Sequence, residues 1–197
     1  MAKLFFRYGA MNSGKSTALL QVAHNYEERD QRALIVKPAT DTKGGESVIS
    51  RLGVSRPVDV LLGVEEDLRE NVRHACQQVS ASGDDIACVL IDEAQFLTSD
   101  QVDQAFATAV LDNLPVIAFG IRTDFRTRAF PGSLRLLEIA HELEEMRTIC
   151  RCGRKAILNA RLDGGRLASD GPQVVIDSDN VVYEALCGSC YLQQSTD

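Results

Sequence analysis

The chain predicts an α/β fold built on a parallel sheet, and three observations carry that reading. Short runs rich in Val, Ile and Leu alternate with stretches of helical periodicity, the signature of βαβ units. Gly9, Ala10, Met11, Asn12, Ser13, Gly14, Lys15 and Ser16 have the G-x-x-x-x-G-K-S spacing of a phosphate-binding loop, placed directly after an apolar run and before a helical one. A second apolar run, 87–91, ends in Asp92-Glu93, at the strand end where open α/β sheets bind ligands.

Taken in order, strands are predicted at 4–7, 33–37, 58–62, 88–91 and 116–119, each a short β-rich run. Helices are predicted at 15–30, 65–80, 101–111 and 134–143. Thr98 opens the third with Gln101 three residues on, the spacing of a capping box, and Gly132-Ser133 precede the fourth. The segment 39–46 is polar and contains glycines, so a mobile loop is expected there. Near Cys150 the character changes: from there to Tyr191 the chain reads as short strands and turns, with a cysteine pair at each end. A boundary near residue 148 therefore separates a nucleotide-binding domain, 1–148, from a small lobe, 149–197.

A chain of 197 residues has room for one such domain and an appendage. Its 28 acidic and 21 basic residues give a net charge of −7 with no dense basic block, which argues against nucleic acid or an anionic membrane as the main partner. No apolar run reaches the length of a membrane span and Arg7 interrupts the one near the N-terminus, so a cytoplasmic location is expected. In that reducing setting Cys150, Cys152, Cys187 and Cys190 read as ligands of a structural Zn²⁺. Cys76 and Cys88 lie within helix and strand patterns and read as small buried side chains. His24, His74 and His141 are isolated, with surface or structural roles.

The chemistry follows from residue types. Backbone N–H groups of the glycine loop and the next helix N-terminus cradle phosphates, Lys15 reaches the β- and γ-phosphates, and Ser16 ligates Mg²⁺. Asp92 holds the Mg²⁺ shell through a water, while Glu93 is expected to point the other way along the pleat and take a proton from the attacking group. Two classes share these parts: a motor ATPase, which activates water, and a small-molecule kinase, which activates a substrate hydroxyl. A helicase needs a second lobe that this chain lacks. A zinc-ribbon nucleic-acid module would surround its cysteines with basic and aromatic residues, and the tail offers Arg151, Arg154 and Lys155 with few aromatics.

Several stretches in order resemble one family. They are the glycine loop; Asp92-Glu93-Ala94-Gln95-Phe96; Gly120-Ile121-Arg122-Thr123-Asp124-Phe125-Arg126 with Phe130 and Gly132-Ser133; Ser50-Arg51-Leu52-Gly53; and Tyr183 with Cys187-Gly188-Ser189-Cys190-Tyr191. Over essentially the full chain this set is similar to the type II thymidine kinases of bacteria, some phages and the animal cytosol. The resemblance implies a RecA-like domain with a zinc-bound lobe carrying a lasso loop, and transfer of the γ-phosphate of ATP to the 5′-hydroxyl of thymidine. It also implies a homotetramer inhibited by dTTP. Glu93 matches the family's base, and Asp92, Glu93, Ala94 and Gln95 match a nucleotide-binding segment. Met11, Phe96, Ile121, Phe125 and Phe130 match the walls of the base pocket, with Val174, Ile176 and Tyr183 on the closing loop. Departures are Ile176-Asp177-Ser178 where relatives have Ile-Gly-Gly, Lys43 where they have Arg, the shorter pair Cys150-Arg151-Cys152, and Asn159 where Thr or Val stands near the substrate's methyl group. That last departure leaves the preference at the 5-position of the base open.

Overall fold

The structure, a computed structural model, describes residues 1–41, 45–81, 83–164, 166–168, 170–173 and 181–194. Six strands form its frame: β1 Leu4–Tyr8, β2 Arg32–Pro38, β5 Val60–Leu62, β6 Ile86–Ile91, β7 Val116–Gly120 and β8 Glu142–Glu145. They pair in the order β5-β2-β6-β7-β1-β8, and every pairing is parallel. Side chains alternate across a strand, so each inner strand feeds two cores. Leu34, Val36, Val89, Ile91, Leu4 and Phe6 pack toward helices α2 (Leu68–Ala81), α3 (Ser99–Leu111) and α4 (Pro131–Ile139). Ala33, Ile35, Cys88, Leu90 and Phe119 pack toward Leu19, Leu20 and Ala23 of α1 (Lys15–Glu27). Each large side chain so buried contributes about 1.5–3 kcal/mol.

The capping box at α3 forms as its spacing predicts. Gln101 N–H donates to Thr98 Oγ1 and Thr98 N–H donates to Gln101 Oε1, both at 3.1 Å. Such caps contribute about 1 kcal/mol. The Gln101 amide also donates to the carbonyl of Gly63 at 2.8 Å, tying the helix start to the loop before α2.

Beyond the sheet, β9 (Thr148–Ile149) pairs with β10 (Lys155–Ala156). Strand β11 (Leu158–Asp163) lies between β12 (Arg166–Leu167) and β13 (Val181–Leu186), and α5 (Gly188–Gln194) follows. Their shared core is small: Cys150, Ala156, Ala160, Ala185, Leu186 and Cys187, with Ala10 of the glycine loop packed against them. Among the described residues no helix is long and apolar enough to cross a membrane.

Four expectations change. The helix expected over 134–143 spans Pro131–Ile139, and Glu142–Glu145 is an edge strand on β1. Glu favours helices, but pairing along β1 and the ion pairs Lys3–Glu142 and Arg7–Glu144, both 2.6 Å, override it. The strand expected over 58–62 begins at Val60, because Asp59 occupies the end of the ladder, its carboxylate accepting from Ile35 N–H at 2.8 Å. Before it, β3 (Ser47–Ile49) and β4 (Ser55–Pro57) form a separate hairpin. Among the described residues the tail also contains a helix, which places Cys190 and Tyr191 on α5. Thr42, Lys43 and Gly44, the centre of the loop expected to be mobile, lie outside the described residues.

Candidate active site at the carboxyl edge of the sheet

Because β6, β7 and β1 are adjacent and parallel, they release three segments at one edge: Asp92 onward, Ile121 onward and the glycine loop. The loop turns through Gly14 at φ 79°, a left-handed conformation that costs glycine little, and α1 starts at the next residue. Lys15 is nearly buried, and its Nζ donates to the carbonyl of Ala10 at 3.0 Å and to that of Gly9 at 3.4 Å. Burial lowers its pKa, with the charges of Glu93 and Asp92 opposing. The ammonium is therefore already poised at the mouth of the loop, beside two carboxylates.

Ser16 Oγ lies 3.5 Å from Asp92 Oδ2, a hydroxyl and a carboxylate converging as a hard divalent cation requires. Burial above all, and then the charge of Glu93, push the Asp92 carboxyl up to about 7. A divalent cation would relieve that excess, so the donor set fits Mg²⁺. The buried ion pair of Lys37 Nζ with Asp41 Oδ2, 3.0 Å, places a further acid in the electrostatic surroundings of Asp92.

Glu93 does not continue the pleat. The strand ends at Ile91 and Glu93 takes a left-handed conformation, φ 47° and ψ 41°, opening the single 3-10 turn Ala94–Phe96. This turn, and not strand alternation, separates it from Asp92. Its Oε2 accepts from Gln95 Nε2 at 2.5 Å, and Gln95 Oε1 accepts from Ile121 N–H at 3.1 Å. Gln95, nearly fully buried, thus spans the gap between the acidic turn and the segment leaving β7.

A cavity of about 930 Å³ joins these parts. Asn12, Gly14, Lys15, Ser16, Glu93 and Gln95 line it together with Met11, Phe96, Ile121, Phe125, Phe130, Asn159 and Tyr183. Phe96 and Phe130 meet edge to face, centroids 5.8 Å apart. Not every expected residue faces this space. Ala94 is fully buried in the sheet core, Ala10 packs against the lobe, and Gly9 donates its N–H to Gly120 O, joining β1 to β7. Ser13 Oγ instead accepts from Lys15 Nζ at 3.4 Å. Val174 and Ile176 lie outside the described residues. The cavity adds Asp41, Arg51, Thr123, Asp124 and Gln173, none of which the sequence reading placed in the site. For Asp41 the available signal was a charge four residues after Lys37 at a strand's carboxyl end.

Asn159 has both ends of its amide in use. Its Oδ1 accepts from Met11 N–H at 2.7 Å and its Nδ2 donates to Thr123 O at 3.0 Å. The side chain therefore braces the glycine loop against the segment leaving β7.

The four lobe cysteines bring their sulfurs within 4.8 Å of one another, with Cys152 and Cys187 Sγ atoms 3.6 Å apart. A tetrahedral site with bonds of about 2.3 Å separates its sulfurs by about 3.8 Å. Burial opposes ionisation of Cys150, but the backbone N–H groups of Cys152 and Cys187 bring its pKa down to about 6. Cys190, hydrogen-bonded to Cys152, Cys150 and Cys187, is pushed up to about 12. Four adjacent sulfurs resist joint ionisation unless a cation compensates them, so the set fits Zn²⁺. Tyr191, next along α5, donates its hydroxyl to Phe125 O at 2.5 Å and so ties the lobe to the cavity wall.

A phosphate-binding glycine loop, an acidic strand end and a parallel sheet define a P-loop nucleotide-binding protein, here with a four-cysteine lobe. The Thymidine kinase family profile matches residues 2–191, and the chain belongs to that family. It is 46% identical to a thymidine kinase of Chromobacterium violaceum, covering 97% of this chain and 98% of the relative. The identity is 50% to that of Idiomarina loihiensis, over 95% and 94% of the two chains. For the enzyme of Enterobacteria phage T4 it is 42%, over the same shares.

Proposed function

We propose that the protein is a thymidine kinase that transfers the γ-phosphate of ATP to the 5′-hydroxyl of thymidine. The observation that carries this reading is one cavity shared by the phosphate loop, Glu93 and the aromatic walls, with Asp92 buried beside it at Ser16. In it, Lys15 and the loop amides hold the β- and γ-phosphates, and Ser16 and Asp92 hold Mg²⁺. Bound there, Mg²⁺ neutralises charge on the phosphates. Glu93, held by Gln95, accepts the proton of the 5′-hydroxyl as its oxygen bonds to phosphorus and the bond to the ADP oxygen breaks. Met11, Phe96, Ile121, Phe125 and Phe130 enclose the base, and Tyr183 covers the nucleoside with the segment bearing Val174 and Ile176. That segment's backbone meets the acceptor-donor-acceptor edge of thymine. Cytosine would leave buried groups unpaired, a difference of up to ~10⁴–10⁵ in rate. Asn159 positions the pocket through its two backbone partners rather than by reading the 5-methyl group.

The division near residue 148 belongs to this reading, supported by β8 closing the main sheet at Glu145 and β9 opening the lobe at Thr148. Cys150, Cys152, Cys187 and Cys190 would hold Zn²⁺, which organises the lobe. Inhibition by dTTP is supported by the continuity of the cavity, in which one molecule can place its base among the aromatics and its phosphates near Lys15. A homotetramer in the cytoplasm completes the proposal; Ile49, Leu52 and Val54 supply exposed apolar surface for association.

Transfer of label from γ-labelled ATP to thymidine, deoxyuridine and deoxycytidine tests it. Labelled nucleotide should form with thymidine and hardly at all with deoxycytidine. Phosphate release without any nucleoside would indicate a motor instead.

A further inference from the structure

The turn Ala94–Phe96 is held between the end of β7 and the start of α4, and at both contacts the neighbour is a glycine. A Cβ on Gly120 would lie 2.9 Å from Gln95 Oε1 and 3.2 Å from the Gln95 backbone nitrogen. One on Gly132 would lie 2.6 Å from the carbonyl oxygens of Ala94 and of Leu97. Neither glycine has a positive φ, so what each supplies is space for a close approach.

The space at Gly120 is taken by the Gln95 amide, and that amide has one orientation. Ile121 N–H can only donate, so it takes the amide oxygen, at 3.1 Å. The amide NH2 is left to donate to Glu93 Oε2, at 2.5 Å. Ile121 is itself fixed, because its carbonyl accepts at 2.6 Å from the hydroxyl of Ser133, a fully buried residue in the first turn of α4. One oxygen of Glu93 is therefore engaged, while Oε1 hydrogen-bonds to nothing among the described residues and is left for a substrate hydroxyl.

We propose that Gln95 is a positioning residue that aims the Glu93 carboxylate and registers it to the nucleoside wall at Ile121. The proposal rests on the reading of Glu93 as the base. Glu93 has left the strand, so no ladder fixes its side chain, and the Gln95 amide supplies the fixed point instead. Glu93, Gln95 and Ile121 all line the cavity, so the amide ties the group that takes the proton to the wall that holds the molecule giving it. A displacement of about 1 Å at such a group costs ~10²-fold in rate. A buried amide that merely satisfied Ile121 N–H would matter equally whatever stood at position 93, and that difference can be measured.

The test uses the full-length enzyme with Gln95→Met, Gln95→Glu and Gly120→Ala, each alone and combined with Glu93→Gln. Alone, Gln95→Met keeps the length without donor or acceptor, and kcat should fall ~10–100-fold while the KM for ATP and for thymidine stay within about threefold. Gln95→Glu keeps an oxygen for Ile121 N–H but turns a second carboxylate toward Glu93, so it should lose at least as much despite its near-identical shape. Gly120→Ala reaches the same amide from outside, its Cβ displacing Oε1, and should lower kcat ~10-fold. On the Glu93→Gln background none of the three should lower kcat more than about threefold further, since a residue acting through Glu93 has nothing left to aim. The full loss on that background as well would show that Gln95 serves the fold alone, and would overturn the proposal. So would a wild-type kcat in folded Gln95→Met or Gln95→Glu or, where these do not fold, in Gly120→Ala. Near-normal turnover in Glu93→Gln itself would overturn the reading of Glu93 as the base, and the aiming role with it.

Discussion

The sheet that carries the glycine loop and Asp92 buries Leu, Ile, Val and Phe on both faces, whereas the lobe that carries Tyr183 encloses alanines, two cysteines and Leu186. The first core is built from large apolar side chains on both faces of the sheet. The second is too small to fix its own loops, and small cores rely on metals or cross-links. Its order comes instead from four converging sulfurs, from Tyr191 bonded to Phe125 O, from Arg161 stacked on the Phe125 ring and from Gln173 bonded to Asp124. Two sites in one cavity are thus held by different means, joined where Ala10 and Met11 of the glycine loop meet the lobe, and damage to one should affect the other less.

The largest expected effect lies where the two halves meet in chemistry. Glu93→Gln keeps the shape but cannot take a proton, so turnover should fall ~10²–10⁴-fold with both substrates still binding. Near-normal turnover would remove Glu93 from the reaction. A smaller effect should split the halves: Cys187→Ser, or removal of metal by a chelator, should lose Zn²⁺ and raise the KM for thymidine by ~10–100-fold. ATP affinity, measured by titration on the same sample, should barely move; parallel loss of both would show that the halves are one cooperative unit.

The smallest effect belongs to the phosphate side alone. Asp92 is raised to about 7 from 3.8, so the metal-free folded state holds its proton more tightly than the unfolded chain does. That contribution to stability is complete below about pH 4 and is lost as pH rises toward 7. Mg²⁺ needs the ionised form, so its apparent affinity should fall ~10-fold per pH unit below 7. Thermal shift with Mg²⁺ and ADP across that range would measure this, and a flat response would contradict the role given to Asp92.

The nucleotide half was largely legible in the sequence because its chemistry is local. The glycine loop is one contiguous run, the acidic pair ends one strand, and the capping box spans four residues. The cysteines were legible from their paired spacing. What could not be read depends on distant partners: Arg161 on Phe125, Gln95 on Ile121, and the pairing of the glutamate-rich Glu142–Glu145 along β1. Asn159 was assigned to the nucleoside through resemblance, and its two backbone partners lie 148 and 36 residues away. The turn at Glu93 was hidden for another reason, since no glycine or asparagine marks it.

That turn has an evolutionary consequence. A left-handed residue with a side chain costs about 1–2 kcal/mol, and glycine or asparagine would be more at ease at this position. A screen that rewards folding alone would thus tend to discard the glutamate, and so would drift in a lineage able to live without the reaction. Selection for turnover has to be renewed at this codon in every generation, against a steady pull toward a better-folded and inert protein.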